Sequence, residues 1–130
     1  MSVVDASVVI AALTDPGRLG SAAARSLGVE GIAAPHLIDL EVAQGIRGLV
    51  LGHRLTAAAG ELAVRQLDLL GIERFPHGPL MPRIWDLRDN VTSYDASYVA
   101  LAETLDRRLV TMDARLAAAP GLRCSVEVIR

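Results

Sequence analysis

Four carboxylates in this sequence stand where a parallel sheet would bring reactive groups together. Asp5 and Asp113 each follow a short apolar run typical of a buried strand. Asp95 lies in the first turn of one predicted helix, and Glu41 lies about one and a half turns into another. Carboxylates that lie close together raise one another's pKa unless a cation sits between them. Their oxygen atoms suit Mg²⁺ or Mn²⁺ better than zinc.

Each acid also has a purely structural interpretation. Asp5 and Asp113 could be helix N-caps, Thr92-x-x-Asp95 matches a capping box, and Glu41 could be a solvated helix residue. Capping does not explain why Asp5 is surrounded by apolar residues on both sides. An ionised carboxylate there is costly unless it is paired or bound to a metal. Both interpretations stay open at the level of the residues.

Bringing these acids together requires strands that alternate with helices. Apolar runs predict strands at residues 3–4, 32–34, 72–75, 109–112 and 125–129. Helical patterns cover residues 6–13, 19–27, 36–51, 55–70, 94–105 and 114–118. Prolines make residues 76–82 irregular. The alternation predicts an α/β fold with a parallel sheet of four or five strands flanked by helices, and ligands in such folds bind at the carboxyl ends of the strands.

Composition excludes several classes of function. The chain has 130 residues, which suits one domain over residues 1–130. All 13 basic residues are Arg, so P-loop phosphate binding and Schiff-base chemistry, which need Lys, are excluded. Aromatic residues make up 3%, which disfavours an aromatic platform for bases, and Trp85 and Tyr98 are interpreted as packing residues. His36, His53 and His77 are scattered without the spacing of metal ligands.

Several features favour a cytoplasmic protein. The longest stretch without a charge, residues 6–14, is far shorter than the roughly 20 residues of a membrane span. Asp5 stands where a secretory leader would carry basic residues. The single cysteine, Cys124, allows no intramolecular disulfide. We therefore expect the cytoplasm as the location.

The motifs around the four acids resemble those of the PIN-domain nucleases and, more narrowly, the VapC toxins of bacterial type II toxin–antitoxin pairs. In chain order the motifs are residues 3–7 (VVDAS), Glu41, residues 94–103 (YDASYVALAE) and residues 109–113 (LVTMD). The run from Tyr94 to Glu103 is the most specific of them. Arg88-x-Asn90-x-Thr92, just upstream, also matches the family's pattern. The resemblance covers the whole chain in order and in length.

The resemblance implies a PIN fold and an endoribonuclease that uses Mg²⁺ or Mn²⁺. By this likeness Asp5 and Asp95 bind the metal directly, while Glu41 and Asp113 hold its waters or a second ion. The choice of Glu41 over Asp39, which lies on the same predicted helix, rests on the resemblance. Further polar groups are implied to support the acids: Ser7 beside Asp5, Thr111 beside Asp113, and Asn90, which helps to shape the site.

The charge distribution is compatible with RNA binding. The net charge is −2, but 11 acidic residues and 13 arginines remain once the four site acids are set aside, which leaves +2. The segment before the Asp95 helix contains Arg83 and Arg88, which are our candidates for contacts with RNA phosphates. A solvated arginine on a helix face is the alternative for each of them.

A toxin of this type also needs partners. The helices between Leu19 and Leu70 carry more Ala, Val and Leu than a small core requires. We expect these helices to form a homodimer face and a groove for a cognate VapB-like antitoxin, which would place a basic residue near the acids.

Two other functions compete with this interpretation. A haloacid-dehalogenase-like phosphatase would need a second Asp two residues after Asp5, where this chain has Ser7. A catalytically degenerate PIN-fold scaffold is the other alternative, and the presence of all four acids argues against it. A scaffold should show no Mg²⁺-dependent shift in melting temperature.

Overall fold

A computed structural model describes residues 1–28 and 30–130. The strands are β1 (Ser2–Val4), β2 (Ile32–Pro35), β3 (Glu73–Phe75), β4 (Leu109–Thr111) and β5 (Val126–Val128). The helices are α1 (Ala6–Thr14), α2 (Arg18–Ser26), α3 (Ile38–Leu51), α4 (Ala57–Leu67), α5 (Met81–Asp86), α6 (Ser93–Leu105) and α7 (Ala114–Ala118). Short 3₁₀ turns occupy Asp68–Leu70 and Gly78–Leu80.

The five strands form one parallel sheet in the order β3-β2-β1-β4-β5. In the central strand β1, Val3 pairs with Ala33 of β2 on one side and Leu109 of β4 on the other. The residues of β1, β2 and β4 are buried, because helices cover both faces of a parallel sheet. The predicted fold class is confirmed, and β1 lies between the two strands that precede Glu41 and Asp113.

Side-chain caps fix where the helices begin at the edge of the sheet. Asp5 accepts a hydrogen bond from the Val8 N–H at the start of α1, and Asp113 accepts one from the Arg115 N–H at the start of α7. Thr92 accepts one from the Asp95 N–H at the start of α6. A capped start stabilises a helix by about 1 kcal/mol and fixes the direction in which its first side chains point.

Helix α6 is the most deeply buried helix of the fold. Its residues 96–102 are all buried, and the helix packs against β1, β2 and β4. Small residues such as Ala96, Ala100 and Ala102 allow this close approach to the sheet. The burial holds α6 rigidly, so that Asp95 in its first turn has a fixed position relative to β1.

The helices differ from the sequence-based prediction in three main places. The helix predicted over residues 55–70 is α4 (Ala57–Leu67) followed by a 3₁₀ turn. Helix α3 begins at Ile38 rather than residue 36, so Glu41 lies in its first turn. The segment predicted to be irregular forms a 3₁₀ turn and then α5, in which Pro82 occupies an early position that needs no N–H donor. No helix in the described part of the chain has the length and apolar character to cross a membrane.

Candidate active site

Asp5 lies at the carboxyl end of the central strand and is held by two hydroxyl groups. Ser7 Oγ donates to one of its carboxylate oxygens, and Thr111 Oγ1 donates to the other. Thr111 belongs to β4 and is fully buried, while Asp5 is 7% exposed. Burial raises the pKa of the Asp5 carboxyl, and the hydrogen bonds from Ser7 and Thr111 partly oppose that rise.

The direction of these two hydrogen bonds is fixed by the backbone of β4 and the residues after it. Ser7 Oγ accepts the Met112 N–H at 3.1 Å, and Thr111 Oγ1 accepts the Asp113 N–H at 3.0 Å. Each hydroxyl is therefore an acceptor toward the backbone and directs its own proton to Asp5. A carboxylate oxygen has about two acceptor sites. Oδ1 of Asp5 accepts from both Ser7 and the Val8 N–H, whereas Oδ2 accepts one hydrogen bond from Thr111 and keeps a lone pair for another ligand.

Glu41 lies on α3 and is oriented by α6. Tyr98 Oη donates to Glu41 Oε1 at 2.6 Å. Burial raises the pKa of Glu41, the Tyr98 hydroxyl lowers it, and the charges of Asp95 and Asp5 raise it further. Burial and the neighbouring Glu41 also raise the pKa of Tyr98, which keeps its hydroxyl protonated as a donor.

Asp39 is engaged elsewhere, although it lies on the same helix as Glu41. Its carboxylate accepts two hydrogen bonds from the Arg74 guanidinium of β3, at 2.7 Å from Nε and 2.7 Å from Nη2. This bidentate ion pair holds Asp39 at the β3 side of α3. The structure thus places Glu41, and not Asp39, beside the other acids.

Asp95 and Asp113 complete the group. Burial raises the pKa of Asp95, and the charges of Asp5 and Asp113 raise it further, while Arg115 lowers it slightly. Asp95 and Asp113 line one groove, and Thr111 hydrogen-bonds both the Asp5 carboxylate and the Asp113 N–H. The Tyr98 hydroxyl, three residues after Asp95 on α6, binds Glu41 on the same side. The structure brings together the four acids on which the sequence analysis focused, and the helix caps formed by Asp5 and Asp113 coexist with that cluster.

The cluster suits a divalent cation that keeps part of its water. Among residues 1–28 and 30–130, no three His, Cys, Asp or Glu side chains are arranged to hold one ion jointly. Mg²⁺ in proteins is commonly bound through one or two carboxylates and several waters. The oxygen donors and the mutual rise in pKa therefore fit a magnesium-like ion, without a closed cage of protein ligands.

An open groove lies beside Asp95 and Asp113. Its volume is about 540 Å³, and Arg88, Asn90 and Arg115 contribute to its walls. Arg88 is exposed, and its guanidinium lies over the Trp85 ring. The groove therefore combines acidic and basic side chains, as a phosphate-containing substrate with a bridging cation would require.

Arg83 lies away from this groove. Its Nε donates to the Glu103 carboxylate at 2.8 Å, and its Nη2 donates to the Gly121 carbonyl oxygen at 2.6 Å. Glu103 follows Asp95 by eight residues, which is about 12 Å along α6. The guanidinium of Arg83 thus joins α5 to α6 far from the acids, and only Arg88 of the two candidate arginines reaches the site.

The comparisons with known proteins agree with this geometry. The sequence profile of the PIN domain matches residues 2–122. Ribonuclease VapC1 of Mycobacterium tuberculosis is 45% identical over 130 residues, covering 98% of this chain and 97% of that protein. Ribonuclease VapC9 of the same species is 43% identical over 129 residues, covering 99% of this chain and 98% of that protein.

This chain belongs to the PIN-domain family. At this identity and coverage it belongs, within that family, with the VapC ribonucleases.

Two solved structures share the fold of this chain. The crystal structure of PAE2754 from Pyrobaculum aerophilum superposes with a TM-score of 0.74 at 24% identity, covering 98% of this chain and 83% of that one. VapC20 of M. tuberculosis, described as a sarcin–ricin loop cleaving toxin, superposes with a TM-score of 0.68 at 15% identity, covering 91% of this chain and 94% of that one. The PIN fold is therefore retained where sequence identity is low.

Three features of this PIN domain were missed by the sequence analysis. Tyr98 packs in the core as expected, but its hydroxyl also orients Glu41. The sequence signal for this role was the position of Tyr98 three residues after Asp95, on the same face of the helix. Arg115 lines the groove two residues after Asp113. Trp85 is not a packing residue, because its side chain is 63% exposed.

Proposed function

We propose that this protein is the toxin of a type II toxin–antitoxin pair and acts as an endoribonuclease that uses Mg²⁺ or Mn²⁺. The observation that carries the proposal is the convergence of Asp5, Glu41, Asp95 and Asp113 at the carboxyl edge of the sheet. The identity to proteins named as VapC ribonucleases over nearly the whole chain supports RNA as the substrate. We propose that residues 1–130 act as one domain, and that the protein works in the cytoplasm, where its RNA target is found.

The four acids are proposed to contact the ion in two different ways. Asp5 and Asp95 are proposed as the direct ligands, since Asp5 is fixed by two hydroxyl groups and Asp95 lies in the first turn of the rigid helix α6. Glu41 and Asp113 are proposed to accept hydrogen bonds from waters on the ion, or to hold a second ion. When bound, the ion supplies neutralisation of the phosphate and a water of lowered pKa.

The neighbouring polar residues position these acids and the substrate. Ser7 and Thr111 hold the Asp5 carboxylate between β1 and β4, which fixes the place where the ion would bind. Asn90 and Arg88 form part of the groove wall, where Arg88 is proposed to contact an RNA phosphate. No attacking group of the protein itself is required, because the hydrolytic water is proposed to be the nucleophile.

Exposed apolar side chains support the proposal that this protein binds a second copy of itself and an antitoxin. Between residues 19 and 70 the structure exposes several large apolar residues: Leu40, Leu51, Leu62, Val64 and Leu69. We propose that this region forms the homodimer face and the antitoxin surface, since large exposed apolar patches mark interfaces.

A groove of about 520 Å³ runs between α1 and the α3–α4 connection. It is lined by Ser7 at one end and by residues such as Ile10, Leu49 and Leu55 further along. Because Ser7 contacts Asp5, a peptide in this groove would reach the acids and could place a basic side chain beside them. This arrangement supports inhibition by a VapB-like antitoxin that occupies the groove and neutralises the acidic cluster.

Cleavage of RNA by the purified protein tests the proposed function. Total bacterial RNA is incubated with antitoxin-free protein in Mg²⁺, in Mn²⁺ and in EDTA, beside the Asp95→Ala variant. We expect discrete fragments with either metal and intact RNA with EDTA or with Asp95→Ala. Absence of cleavage by folded protein with both metals would favour the scaffold alternative.

A further inference from the structure

Trp85 is exposed in a way that the fold does not require. It is the only tryptophan of the chain, and its side chain is 63% exposed on the short helix α5. Its neighbours Ile84 and Leu87 are 4% and 1% exposed, and they anchor this helix to the core. Burial of a large aromatic side chain is favourable, so an exposed tryptophan contributes little to folding and is available for binding.

The Trp85 ring is paired with Arg88 at the rim of the acidic groove. The Arg88 Cζ lies 5.0 Å from the ring centroid, and Arg88 Nη1 donates to the Trp85 carbonyl oxygen at 3.0 Å. None of the ion pairs found within residues 1–28 and 30–130 involves Arg88. Its guanidinium is therefore held in place by the ring and the backbone, while its other N–H donors stay available.

Arg88 connects this pair to the proposed reaction centre. Arg88 lines the same groove as Asp95 and Asp113. The exposed leucines on α3 and α4 belong to other elements, so the Trp85 surface differs in character from the apolar region assigned to protein partners. An aromatic ring with an adjoining guanidinium matches a nucleotide, whose base stacks and whose phosphate is anionic.

We propose that Trp85 and Arg88 form a subsite for one unpaired nucleotide beside the scissile phosphate. The base stacks on the Trp85–Arg88 pair, and the free N–H groups of Arg88 bind the adjoining phosphate. The proposal rests on the ribonuclease function proposed above and adds a recognition element to it. A base within a duplex is stacked on its neighbours and cannot occupy the subsite, so the pair selects RNA with an unpaired base near the cleaved bond.

Fluorescence of the single tryptophan tests this subsite directly. Single-stranded oligoribonucleotides with a terminal fluorophore are titrated with the protein in EDTA, and with Asp95→Asn protein in Mg²⁺, so that cleavage is suppressed. Anisotropy of the fluorophore reports binding, and Trp85 emission reports stacking. We expect Trp85 emission to be quenched along the same binding curve, with at least tenfold weaker quenching by a duplex of the same sequence.

Matched variants separate stacking from charge and from exposed surface. Trp85→Ala and Arg88→Ala should each weaken binding and raise KM about tenfold with kcat nearly unchanged, whereas Trp85→Phe should keep most of the affinity. Arg88→Lys should behave like Arg88→Ala, because lysine lacks the planar guanidinium. Two controls should stay within about twofold of wild type: Arg107→Ala, an exposed arginine in a different depression, and Met81→Ala, an exposed apolar residue at the start of α5.

The outcomes distinguish this proposal from the proposed function. Cleavage by wild type with an unchanged KM in Trp85→Ala would overturn the subsite and leave the ribonuclease intact. Binding with unaltered Trp85 emission, or equal quenching by duplex and single strand, would also overturn it. Quenching and Trp85-dependent affinity in a protein that cleaves no RNA would support the subsite while the enzymatic proposal fails.

Discussion

At the scale of single residues, the hydroxyl groups around Asp5 matter because they decide where a carboxylate can hold an ion. Thr111 Oγ1 accepts the Asp113 N–H and donates to Asp5, so one oxygen links two of the four acids. Ser7 Oγ likewise accepts the Met112 N–H and donates to Asp5, so it links Asp5 to the backbone that follows β4. Groups that orient metal ligands in this way commonly change metal affinity or activity by about 10–100-fold when they are removed.

Replacing Thr111 by valine tests this positioning role. Valine keeps the shape of threonine but removes the hydroxyl, so Asp5 loses a donor and the half-buried Asp113 N–H loses its acceptor. We expect RNA cleavage to fall about 10–100-fold, with a higher Mg²⁺ concentration needed for half-maximal activity. Thr104→Val is the matched control, because the Thr104 hydroxyl donates only to the Ala100 carbonyl oxygen within α6. Equal activity of the two variants would contradict the role of the Thr111 hydroxyl in positioning Asp5.

Removing one charge from the acidic cluster should stabilise the metal-free protein. The pKa of Asp95 is raised in the folded state, so folding is penalised at neutral pH, where the carboxyl is ionised; that penalty disappears as the pH falls below the ordinary value of 3.8. We expect Asp95→Asn to raise Tm by a few degrees at pH 7.5 in EDTA, and the gain to shrink toward pH 4. Thermal scans across this pH range measure the effect.

Mg²⁺ and a second variant complete this comparison. Added Mg²⁺ should raise the Tm of the wild-type protein more than that of Asp95→Asn, because ligand binding stabilises only the form that holds the ion. Glu73→Gln, at an exposed position on β3, is the control for loss of a charge elsewhere. A lower Tm for Asp95→Asn than for wild type in EDTA would contradict the mutual repulsion of the acids.

At the scale of elements, α3 and α6 must keep a fixed relation for Glu41 to face Asp95. The hydrogen bond from Tyr98 to Glu41 joins these helices across the sheet edge. Tyr98 is 1% exposed, so packing in the core fixes the position of its ring. The hydrogen bond from its hydroxyl therefore restrains the Glu41 side chain.

Tyr98→Phe tests whether this hydrogen bond joins the helices. The variant keeps the ring and leaves a half-buried carboxylate without its donor, which should lower the free energy of unfolding by about 1–3 kcal/mol at pH 7.5. Urea unfolding measures the loss, and cleavage should weaken in parallel. Tyr94→Phe, at a position whose side chain is 62% exposed, should change stability by less than about 0.5 kcal/mol. A stability equal to wild type in Tyr98→Phe would contradict the proposed link.

The elements themselves were largely predictable from sequence, because apolar runs and capping residues are local signals. The strand after residue 108 and the helix at residues 114–118 were predicted nearly to their ends. The segment from Pro76 to Pro82 was not, since its prolines suggest a loop although Pro82 fits the first turn of α5. Buried Ile84 and Leu87 attach α5 to the core, a tertiary effect that local propensity does not contain.

At the scale of the whole molecule, the sheet order determines which distant residues meet. The apolar runs of the sequence predict the strands but not their order, and the structure places β1 between β2 and β4, so that the acids following these strands lie at one edge. Closeness in sequence to α6 does not say which end of that helix Arg83 faces, and the structure pairs Arg83 with Glu103 in the later part of the helix. The exposure of Trp85 was likewise unpredictable, since an apolar residue beside buried Ile84 gives no local sign that it faces solvent.

The distribution of charge over the molecule follows from the same arrangement. Four acids cluster at one edge of the sheet, and the rest of the chain carries an excess of arginine. A protein with this arrangement can attract a polyanion by its arginines, while the acids stay repulsive until a cation neutralises them. The metal is therefore expected to control both the stability of the site and its access to RNA.

The most direct test of the central claim is RNA cleavage by Asp5→Asn in Mg²⁺. Asparagine is as good an N-cap as aspartate, so α1 should form and the circular dichroism spectrum should match wild type. Asp15→Asn, in the turn after α1, is the matched control and should keep wild-type activity. We expect cleavage by Asp5→Asn to fall by more than about 100-fold. Unchanged cleavage by this folded variant would contradict a metal-dependent acidic centre at the end of β1.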